Sequence, residues 1–387
     1  MQIQETLDNE HGDFNSLLLD IQEQEARKAD YVTDTGSLEF KTIAGQTIVH
    51  AEQAGMATVS SRCNDVAFGQ VLTKADLDSR TGRRLQERYP DVLDHALNRI
   101  YSAESKSVML RTFDSAPSSN EPGELRAFLS DKYKRFDHVD LLKAVVPALR
   151  ESDARWRIVN FSVTEKAMTL RLKSEAIIGE GAAVGDLMAL GVSLGNSETG
   201  HSSVLITMLA WTLWCLNGMQ TQKRQRNAHL TSAQSDSDVW SILTAEAKEA
   251  DNAALSMKLR DVAANYSSRE AFEEVLQNFR DAANDTLTDG TTPQAAVEAV
   301  GRVLQLTKKE TASVLDGLFS TMGQSGYAGR PVSRATLVNA VTAVGNDSRL
   351  RADEIKADDV GEWEKRGGRL LELPANQWTS IATAMAA

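Results

Sequence analysis

Apolar and polar residues alternate in two neighbouring stretches near the middle of the chain. In the second stretch the apolar residues take one set of alternate positions and the polar residues take the other, namely Met168, Leu170 and Leu172 against Thr169, Arg171 and Lys173. Successive side chains of a strand point to opposite faces, so this pattern predicts a strand with a core face and a basic face. The apolar stretch Trp156 to Val163 precedes it, and Thr164 to Ala167 form the connection. We therefore predict a β-hairpin.

Further strands are predicted on both sides of this hairpin. The loose alternation from Lys106 to Phe113 indicates a strand that ends before the turn-rich loop Pro117 to Gly123, and a short β-like run follows that loop. The apolar runs Leu187 to Leu194 and Ser202 to Leu209 predict a second pair of strands. The middle of the chain is thus expected to form a sheet.

Two helices are predicted in the same region. An amphipathic helix is expected to begin at Asp137, after a polar turn that carries four of the basic and aromatic residues considered below. Trp211, Trp214 and Cys215 are apolar residues at helical spacing, and Asn217 with Gly218 supplies a typical helix stop.

The two ends of the chain have a helical pattern. Leu17, Leu18 and Ile21 predict one short amphipathic helix within Phe14 to Ala29, as an entry arm before an extended step at Tyr31. After about Thr231 the composition becomes rich in Ala. Helix starts are expected there at Ser267 with Glu270, at Thr292 and Pro293, at Thr307 with Glu310, and at Ser333.

These elements predict an α+β fold, with a central antiparallel or mixed sheet packed by helices and followed by an α-helical C-terminal region. The expected division is an acidic N-terminal arm (1–60), an α+β core domain (61–230) and a helical region (231–387). Charge follows the same division. Lys and Arg number 3 against 11 Asp and Glu in the first part, 23 against 20 in the second and 16 against 23 in the third, for a total of −12. A basic face is therefore expected only in the middle part.

Length and cysteine content limit the protein class. With 387 residues the chain is long enough to bury a large core without covalent cross-links. Cys63 and Cys215 are its only two cysteines, and they have no metal or disulfide spacing. The N-terminus has no signal-peptide pattern, and the longest apolar run, Val204 to Leu216, is too short to span a bilayer. We therefore expect a protein without membrane contact in the cytoplasm of a bacterial host.

Common catalytic and nucleotide-binding motifs are absent from the sequence. It contains no phosphate-binding Gly-x-x-x-x-Gly-Lys loop, no His-Glu-x-x-His helix and no Gly-x-Ser-x-Gly elbow. Gly179, Gly181 and Gly185 are wrongly spaced for a dinucleotide loop. The six histidines are scattered and no pair has a metal-ligand spacing. The expectation is no catalytic residue, no metal and no cofactor, although carboxylates from distant positions could still assemble a site.

The block from Asn196 to Ser203, NSETGHSS, contains Ser, Glu and His close together. A catalytic triad needs the base within reach of the nucleophile and a third group that orients the base, and neighbours within one turn seldom achieve this. Asn, Ser, Thr and Gly are turn-forming residues. A structural turn is the favoured interpretation, and a loop that contacts a phosphate or another ligand is the alternative.

Five blocks of the sequence together resemble a known family. They are Gly123 to Leu149, NSETGHSSV from Asn196, CLNGM from Cys215, NAVTAV from Asn339 and GGRLLELP from Gly367. In this order they resemble the phage/plasmid-like protein family called domain of unknown function 932. The resemblance covers most of the chain, from about Tyr31 to Pro374. It implies that the gene belongs to a phage or plasmid, and it implies no activity.

Clustered basic residues give the one positive indication of function. They occur in the predicted polar turn, on the predicted hairpin and after the CLNGM block, as Lys132, Lys134 and Arg135 with Tyr133, then Arg155, Arg157, Arg171 and Lys173, then Lys223, Arg224 and Arg226. Binding of a nucleic acid strand uses a cationic groove for phosphates and aromatic faces for bases, for which Tyr133, Trp156 and Phe136 are candidates. The alternative is that these cations are ordinary solvated residues and that Trp156 is buried.

Two function classes follow. The first is a phage- or plasmid-encoded protein that binds single-stranded DNA, most concretely a single-strand annealing protein of recombination. Its expected fold is a β-hairpin and sheet backed by a helix. The second is a non-enzymatic accessory protein that binds a host or phage protein through the acidic helical region. Formation of a homo-oligomer is left open.

Overall fold

The computed structural model contains two β-sheets with packed helices and confirms the predicted α+β class. It describes residues 14–52, 59–115, 121–181, 186–212, 217–227, 243–287, 291–323, 329–346, 350, 360–374 and 377–378. No helix within these ranges is long and apolar enough to cross a membrane.

The first sheet has six strands in the order β1-β5-β6-β4-β3-β2. Their bounds are β1 Lys28–Asp34, β2 Leu38–Ile43, β3 Gln46–Ala51, β4 Val59–Cys63, β5 Ser107–Phe113 and β6 Gly123–Ser130. Neighbouring strands pair antiparallel except β4 and β6, which are parallel. The strand predicted from Lys106 to Phe113 is confirmed as β5, and the β-like run after the loop is confirmed as β6.

Three helices cover one face of this sheet: α2 Asp65–Lys74, α3 Ser79–Arg88 and α4 Pro90–Ala103. Asn64 and Asp78 begin the first two, because their side chains accept hydrogen bonds from the backbone N–H of Ala67 and Thr81. The core between the helices and the sheet contains the fully buried side chains of Phe40, Phe68, Leu93, Leu97 and Phe128.

Helix α4 also protects the outer edge of the sheet. The backbone N–H of Phe40 donates to Asn98 Oδ1 at 2.8 Å, and the N–H of Thr42 donates to Asp94 Oδ2 at 2.9 Å. An exposed edge strand presents unpaired backbone groups that can pair with another chain. Side chains of α4 accept hydrogen bonds from two of these backbone N–H groups on β2.

The N-terminal part of the chain belongs to the same sheet. Helix α1, Phe14–Arg27, leads directly into β1, in which Tyr31 lies opposite Leu110 of β5. Strands β2 and β3 continue the sheet on its other side. The described part of the predicted arm is therefore integral to the sheet, because two short alternating stretches, 38–43 and 46–51, pair as a hairpin. The boundary predicted at residue 60 falls inside β4.

The second sheet is an antiparallel five-stranded meander in the order β11-β10-β9-β8-β7. Its strands are β7 Trp156–Val163, β8 Met168–Glu180, β9 Leu187–Asn196, β10 Val204–Thr212 and β11 Asn217–Asn227. The predicted hairpin is confirmed as β7 and β8, with Thr164 to Ala167 as its connection. Its register is also confirmed, because the alternate residues Met168, Leu170 and Leu172 are fully buried.

The helix predicted through Trp211 is wrong. Trp211 lies in strand β10 opposite Gly218 of β11, and Trp214 and Cys215 fall outside the described residues. Its indole packs over Gly191 of β9, and Nε1 donates to the Leu172 carbonyl at 3.3 Å. A short apolar run can form either a helix or a buried strand, and at Trp211 the contacts between strands decide between the two.

Within the described ranges, seven further helices surround the second sheet. They are α5 His138–Glu151, α6 Ala245–Tyr266, α7 Arg269–Asn284, α8 Pro293–Leu304, α9 Lys308–Met322, α10 Arg334–Asn346 and α11 Val360–Leu371. One continuous core joins the sheet to these helices, and it includes Leu170, Val192, Phe272, Val297 and Trp363. The described C-terminal helices therefore share a core with the predicted middle domain.

Most predicted helix starts are confirmed. Thr292 accepts from the Ala295 N–H ahead of Pro293, and Thr307 with Glu310 forms a capping box. Helix α10 begins just after Ser333. At α7 the capping residue is Ser268 rather than Ser267, because the Ser268 hydroxyl accepts from the Ala271 N–H at 3.1 Å.

Candidate functional site

The NSETGHSS block connects β9 to β10 and lies against the first sheet. Glu198, only 2% exposed, is its central residue. Its carboxylate accepts hydrogen bonds from Lys28 Nζ at 2.7 Å, from Arg126 Nη1 at 2.5 Å and from the His138 backbone N–H at 2.7 Å. One side chain thus joins β1, β6 and the N-terminus of α5, where the helix dipole favours a negative charge.

Strand geometry explains why two cations meet Glu198. Lys28 is on β1. In the pairing of β5 with β6, Arg111 faces Ala127 and Thr112 faces Leu125, which leaves Arg126 unpaired in a bulge. A bulge of this kind re-aims side chains relative to the regular alternation of the strand. Arg126 is thereby directed toward Glu198 rather than into the core under α2 and α4.

Arg111 is the second centre of the same ionic network. It is 1% exposed, and its guanidinium donates to Asp30 Oδ1 at 2.8 Å, to Asp137 Oδ1 at 2.8 Å and to the Glu198 carbonyl at 3.0 Å. The buried part of the network contains three cations and three carboxylates, Lys28, Arg111 and Arg126 with Asp30, Asp137 and Glu198. The more exposed Glu25 and Arg135 pair with Lys28 and Asp30 at its edge. Buried charges need such partners, since an unpaired one costs several kcal/mol.

The ionic network also sets protonation states. Burial alone would raise the pKa of Glu198, but the nearby His138, Lys28 and Arg126 and the His138 N–H hold it well below its usual range. Burial lowers the pKa of His138 to about 4 despite the adjacent Glu198. The His138 ring is therefore neutral near pH 7, and Lys28 and Arg126 supply the positive charge opposite Glu198.

The remaining side chains of the block form hydrogen bonds typical of a structural turn. Asn196 Nδ2 donates to the Phe136 carbonyl at 2.9 Å, and the Tyr133 hydroxyl donates to the Ser197 carbonyl at 2.9 Å. Glu198 binds Lys28 and Arg126 rather than His201, so Ser, Glu and His do not form a catalytic triad. The geometry favours the structural-turn interpretation of this block.

Thr199 connects this turn to two other elements. Its carbonyl accepts from Gln70 Nε2 of α2 at 2.7 Å, and its hydroxyl donates to the carbonyls of Glu165 at 3.0 Å and Lys166 at 3.2 Å. Gln70 Oε1 in turn accepts from the Phe128 N–H at 2.7 Å. Helix α2 and the β7–β8 connection are therefore held at a fixed separation.

A cavity of about 850 Å³ lies between these two elements. Its charged and polar lining includes Asp65, Lys74, Arg83, Glu165, Lys166 and His201. A second cavity of about 560 Å³ shares Asp65 and Glu165 with the first and adds Arg27, Arg62 and Glu124. We call the two adjoining cavities the cleft.

The cations of the cleft differ in how they are partnered. Arg83 pairs with Asp65 at 2.9 Å, and Arg62 pairs with Glu121. Lys74 and Lys166, from opposite walls, form no ion pair with any described residue. Partial burial, with the adjacent Glu124 and Asp65, raises the pKa of Glu165. Partial burial, with the adjacent Lys166, lowers the pKa of His201.

The aromatic residues predicted to stack on bases are buried. Tyr133 is 3% exposed, Phe136 is 1% exposed and Trp156 is 4% exposed. The Trp156 indole donates to the Leu149 carbonyl at 3.0 Å. All three side chains belong to the interior of the protein, so none of them presents an open face to a nucleic acid. The apolar surface of these side chains explains their burial, because removal of apolar surface from water stabilises the folded protein.

Four of the predicted DNA-binding cations pair with acidic residues. The pairs are Lys134 with Asp251, Arg135 with Asp30 at 3.3 Å, Arg157 with Glu175 at 4.0 Å and Arg171 with Glu364 at 2.8 Å. The last pair is buried, since the Glu364 side chain is 0% exposed. The polar face of β8 is therefore partly covered at Arg171, which the alternation pattern could not reveal.

The other predicted cations lie in different places. Arg155 is exposed, and Lys132 and Lys173 are half-buried. Lys223, Arg224 and Arg226 belong to strand β11 rather than to a segment after a helix, and their side chains lie outside the described part of the chain. Arg135 and Tyr133 line a third cavity of about 640 Å³ beside α6, separate from the cleft.

Sequence reasoning did not identify the residues that the structure brings together. Lys74 and Arg83 are far from Lys166 in the chain, and no local pattern places the three around one cavity. Arg111 and Arg126 did carry a signal, because each is a charged residue inside an otherwise apolar strand. Such a residue requires a buried partner.

The chain was compared with protein-family models, with curated proteins and with solved structures, and none of the three comparisons gave a match. The resemblance to the phage/plasmid-like family therefore remains an expectation from the sequence blocks.

Proposed function

We propose that the protein is a non-enzymatic DNA-binding protein of a phage or plasmid, and that it holds single-stranded DNA by its phosphates in the cleft. The observation that carries this proposal is the position of Lys74 and Lys166 on opposite walls of one open cavity, without an ion pair to any other described residue. Cations that have no ion pair and converge on a cavity attract a polyanion.

The charge of the cleft supports this proposal further. Its lining contains five cations, Arg27, Arg62, Lys74, Arg83 and Lys166, against the three carboxylates Asp65, Glu124 and Glu165. The chain as a whole has a net charge of −12. The cleft therefore has an excess of positive charge although the protein as a whole is acidic. The positive electrostatic potential of such a cleft attracts phosphate groups.

The spacing of the two lysines is defined by buried groups. Gln70 lies one helical turn before Lys74, and Thr199 bonds to both Gln70 and the backbone of Lys166. A binding site is most effective when its side chains are carried by rigid elements. The NSETGHSS block thus acts as a positioning element of the proposed site rather than as a contact to DNA.

Annealing activity is not included in the proposal. Its expected fold required a helix through Trp211, but Trp211 lies in strand β10, and the aromatic residues expected to stack on bases are buried. Binding through phosphates alone is independent of sequence and strongly dependent on salt. The accessory protein that binds a partner through its acidic helices remains a prediction.

Charge reversal in the cleft tests the proposal. In a gel shift at low salt, we expect the Lys74→Glu and Lys166→Glu variants to bind single-stranded DNA about tenfold more weakly each, because each replaces an attraction to a phosphate with a repulsion. The matched control is Arg155→Glu, an exposed cation immediately before β7, which should bind as the unaltered protein does. Equally weakened binding by all three variants, or unchanged binding by all three, would overturn the cleft as the site.

A further inference from the structure

Helices α8 and α9 form an antiparallel hairpin with an open groove along its outer side. The groove has a volume of about 540 Å³. Apolar atoms of Val297, Leu306, Ala312 and Leu315 line it. Gly301 lies at its base, where an added Cβ would come within 2.9 Å of the Thr311 hydroxyl, so the two helices approach closely.

The apolar strip extends beyond the groove along α9. Phe319 follows Leu315 by one helical turn and is 55% exposed, although it is among the largest apolar side chains of the chain. On the adjoining side of α9, Val314 and Leu318 are fully buried in the core. Leu315 is half-buried and packs in part against that core, whereas Ala312 and Phe319 are exposed, so the apolar surface of α9 extends outward from the core.

Charged residues of both signs lie beside this strip. Glu298 and Arg302 are one helical turn apart on α8, and Lys308 lies at the α8–α9 connection. Neither Arg302 nor Lys308 forms an ion pair with another described residue. Glu298 accepts only a long hydrogen bond of 3.3 Å from Gln294 within its own helix.

We propose that this surface binds the same surface of a second copy of the chain. A two-fold axis across the hairpin reverses the direction of the strip, so that Arg302 of each copy lies against Glu298 of the other. The same operation sets the exposed Phe319 of each copy over Leu306 of the other. Two helical hairpins then pack as a four-helix arrangement.

Charge complementarity favours a second copy over a foreign helix. A two-fold contact uses the same patch twice, so the patch must complement itself. Glu298 and Arg302 meet this condition, because an antiparallel second copy of α8 sets each of them against the other. A foreign acidic helix would match Arg302 and Lys308 but would place its charge against Glu298. Because the contact is small, the dimer should depend on protein concentration.

Sedimentation equilibrium of the full chain over a range of concentrations tests this proposal. We expect the unaltered protein to dimerise and the Arg302→Glu variant to shift the midpoint to at least about tenfold higher concentration. The Glu298→Arg variant should do the same. The double variant carrying Arg302→Glu and Glu298→Arg should dimerise again, because the exchanged charges still face each other.

A second pair of variants tests the apolar part of the contact. Phe319→Asp should abolish the dimer, whereas Met257→Asp, which changes an equally exposed side chain on α6, should leave it intact. A chain that stays monomeric at all concentrations would overturn the proposal. The proposal would also be overturned if the double variant dimerised as weakly as either single variant. If Phe319→Asp lowers the unfolding temperature, the charge exchange decides the question alone.

Discussion

Arg126 and Glu198, which are 72 residues apart, join the two sheets of the protein through a buried hydrogen bond of 2.5 Å. Their side chains are 5% and 2% exposed. Strand β6 of the first sheet carries one, and the turn after β9 of the second sheet carries the other. The relative position of the sheets, and with it the shape of the cleft, depends on this hydrogen bond and on the charges around it.

Removal of the central carboxylate should destabilise the protein strongly. The Glu198→Ala variant leaves Arg126 buried without its counter-charge and removes the most deeply buried carboxylate beside Lys28, for which we expect a decrease of about 3 to 5 kcal/mol in the free energy of unfolding. Glu175→Ala is the matched control, because Glu175 pairs with Arg157 at the surface and is 46% exposed. The control should change stability by less than about 1 kcal/mol. Urea denaturation measures both, and equal small effects would contradict a structural role for the network.

His138 should make stability depend on pH. Burial lowers its pKa to about 4 in the folded chain, whereas an unfolded histidine titrates near 6.5. The unfolded state therefore binds more protons between these values, so the contribution of His138 to stability is complete above pH 6.5 and decreases as the pH falls toward 4. We expect a decrease of about 1.5 kcal/mol between pH 6.5 and pH 5.

Two histidine variants isolate this effect. The His138→Asn variant should lose most of that pH dependence, and His95→Asn, on an exposed side of α4, should retain it. Urea titrations at several pH values provide the comparison. If the free energy of unfolding of the His138→Asn variant depends on pH as steeply as that of the unaltered protein, another group is responsible for the pH dependence.

Two glycines of β9 test the packing of Trp211. A Cβ at Gly191 would lie 2.2 Å from Trp211 Nε1 and 2.9 Å from the Leu172 carbonyl oxygen, so Gly191→Ala should destabilise the protein by about 1 to 3 kcal/mol. A Cβ at Gly195 would have 3.7 Å to its nearest neighbour, so Gly195→Ala should be tolerated. Thermal unfolding distinguishes them, and similar melting temperatures for both would contradict the strand assignment of Trp211.

Reversal of Arg171 should affect folding rather than binding. Glu364 is fully buried and accepts a hydrogen bond from Arg171 Nη1 at 2.8 Å, so Arg171→Glu would bury two like charges together. We expect a decrease of about 3 to 5 kcal/mol in the free energy of unfolding. Arg155→Glu, at an exposed position just before the neighbouring strand β7, should change it by no more than about 0.5 kcal/mol. Normal unfolding of the Arg171→Glu variant would show that Glu364 is not its partner.

Local patterns predicted the local structure well. The alternation through Leu170 predicted both the strand and its core face, and Thr307 with Glu310 predicted the start of α9, because strand alternation and helix capping depend on residues close in sequence. The helix predicted through Trp211 was wrong, because packing against Gly191 and Gly218 decided its conformation. That packing depends on strand order, which no short pattern contains.

The candidate site was largely invisible in the sequence for the same reason. Lys28, Arg126 and Glu198 come from three distant parts of the chain, and their pairing follows from the placement of two sheets. Lys74 and Lys166 converge only because Thr199 connects their elements. The cations that stood out in the sequence did so through local clustering, and several of them have acidic partners supplied by remote segments, such as Asp251 and Glu364.

The salt dependence of binding to single-stranded DNA tests the central claim most directly. Fluorescence anisotropy of a labelled strand of some tens of nucleotides, measured at several salt concentrations, gives the slope of log affinity against log salt. We expect a steep slope for the unaltered protein and, for the Lys74→Gln, Lys166→Gln double variant, a slope smaller by about 0.7 for each phosphate that is no longer neutralised. Absence of binding at low salt, or an unchanged slope in the double variant, would contradict the account.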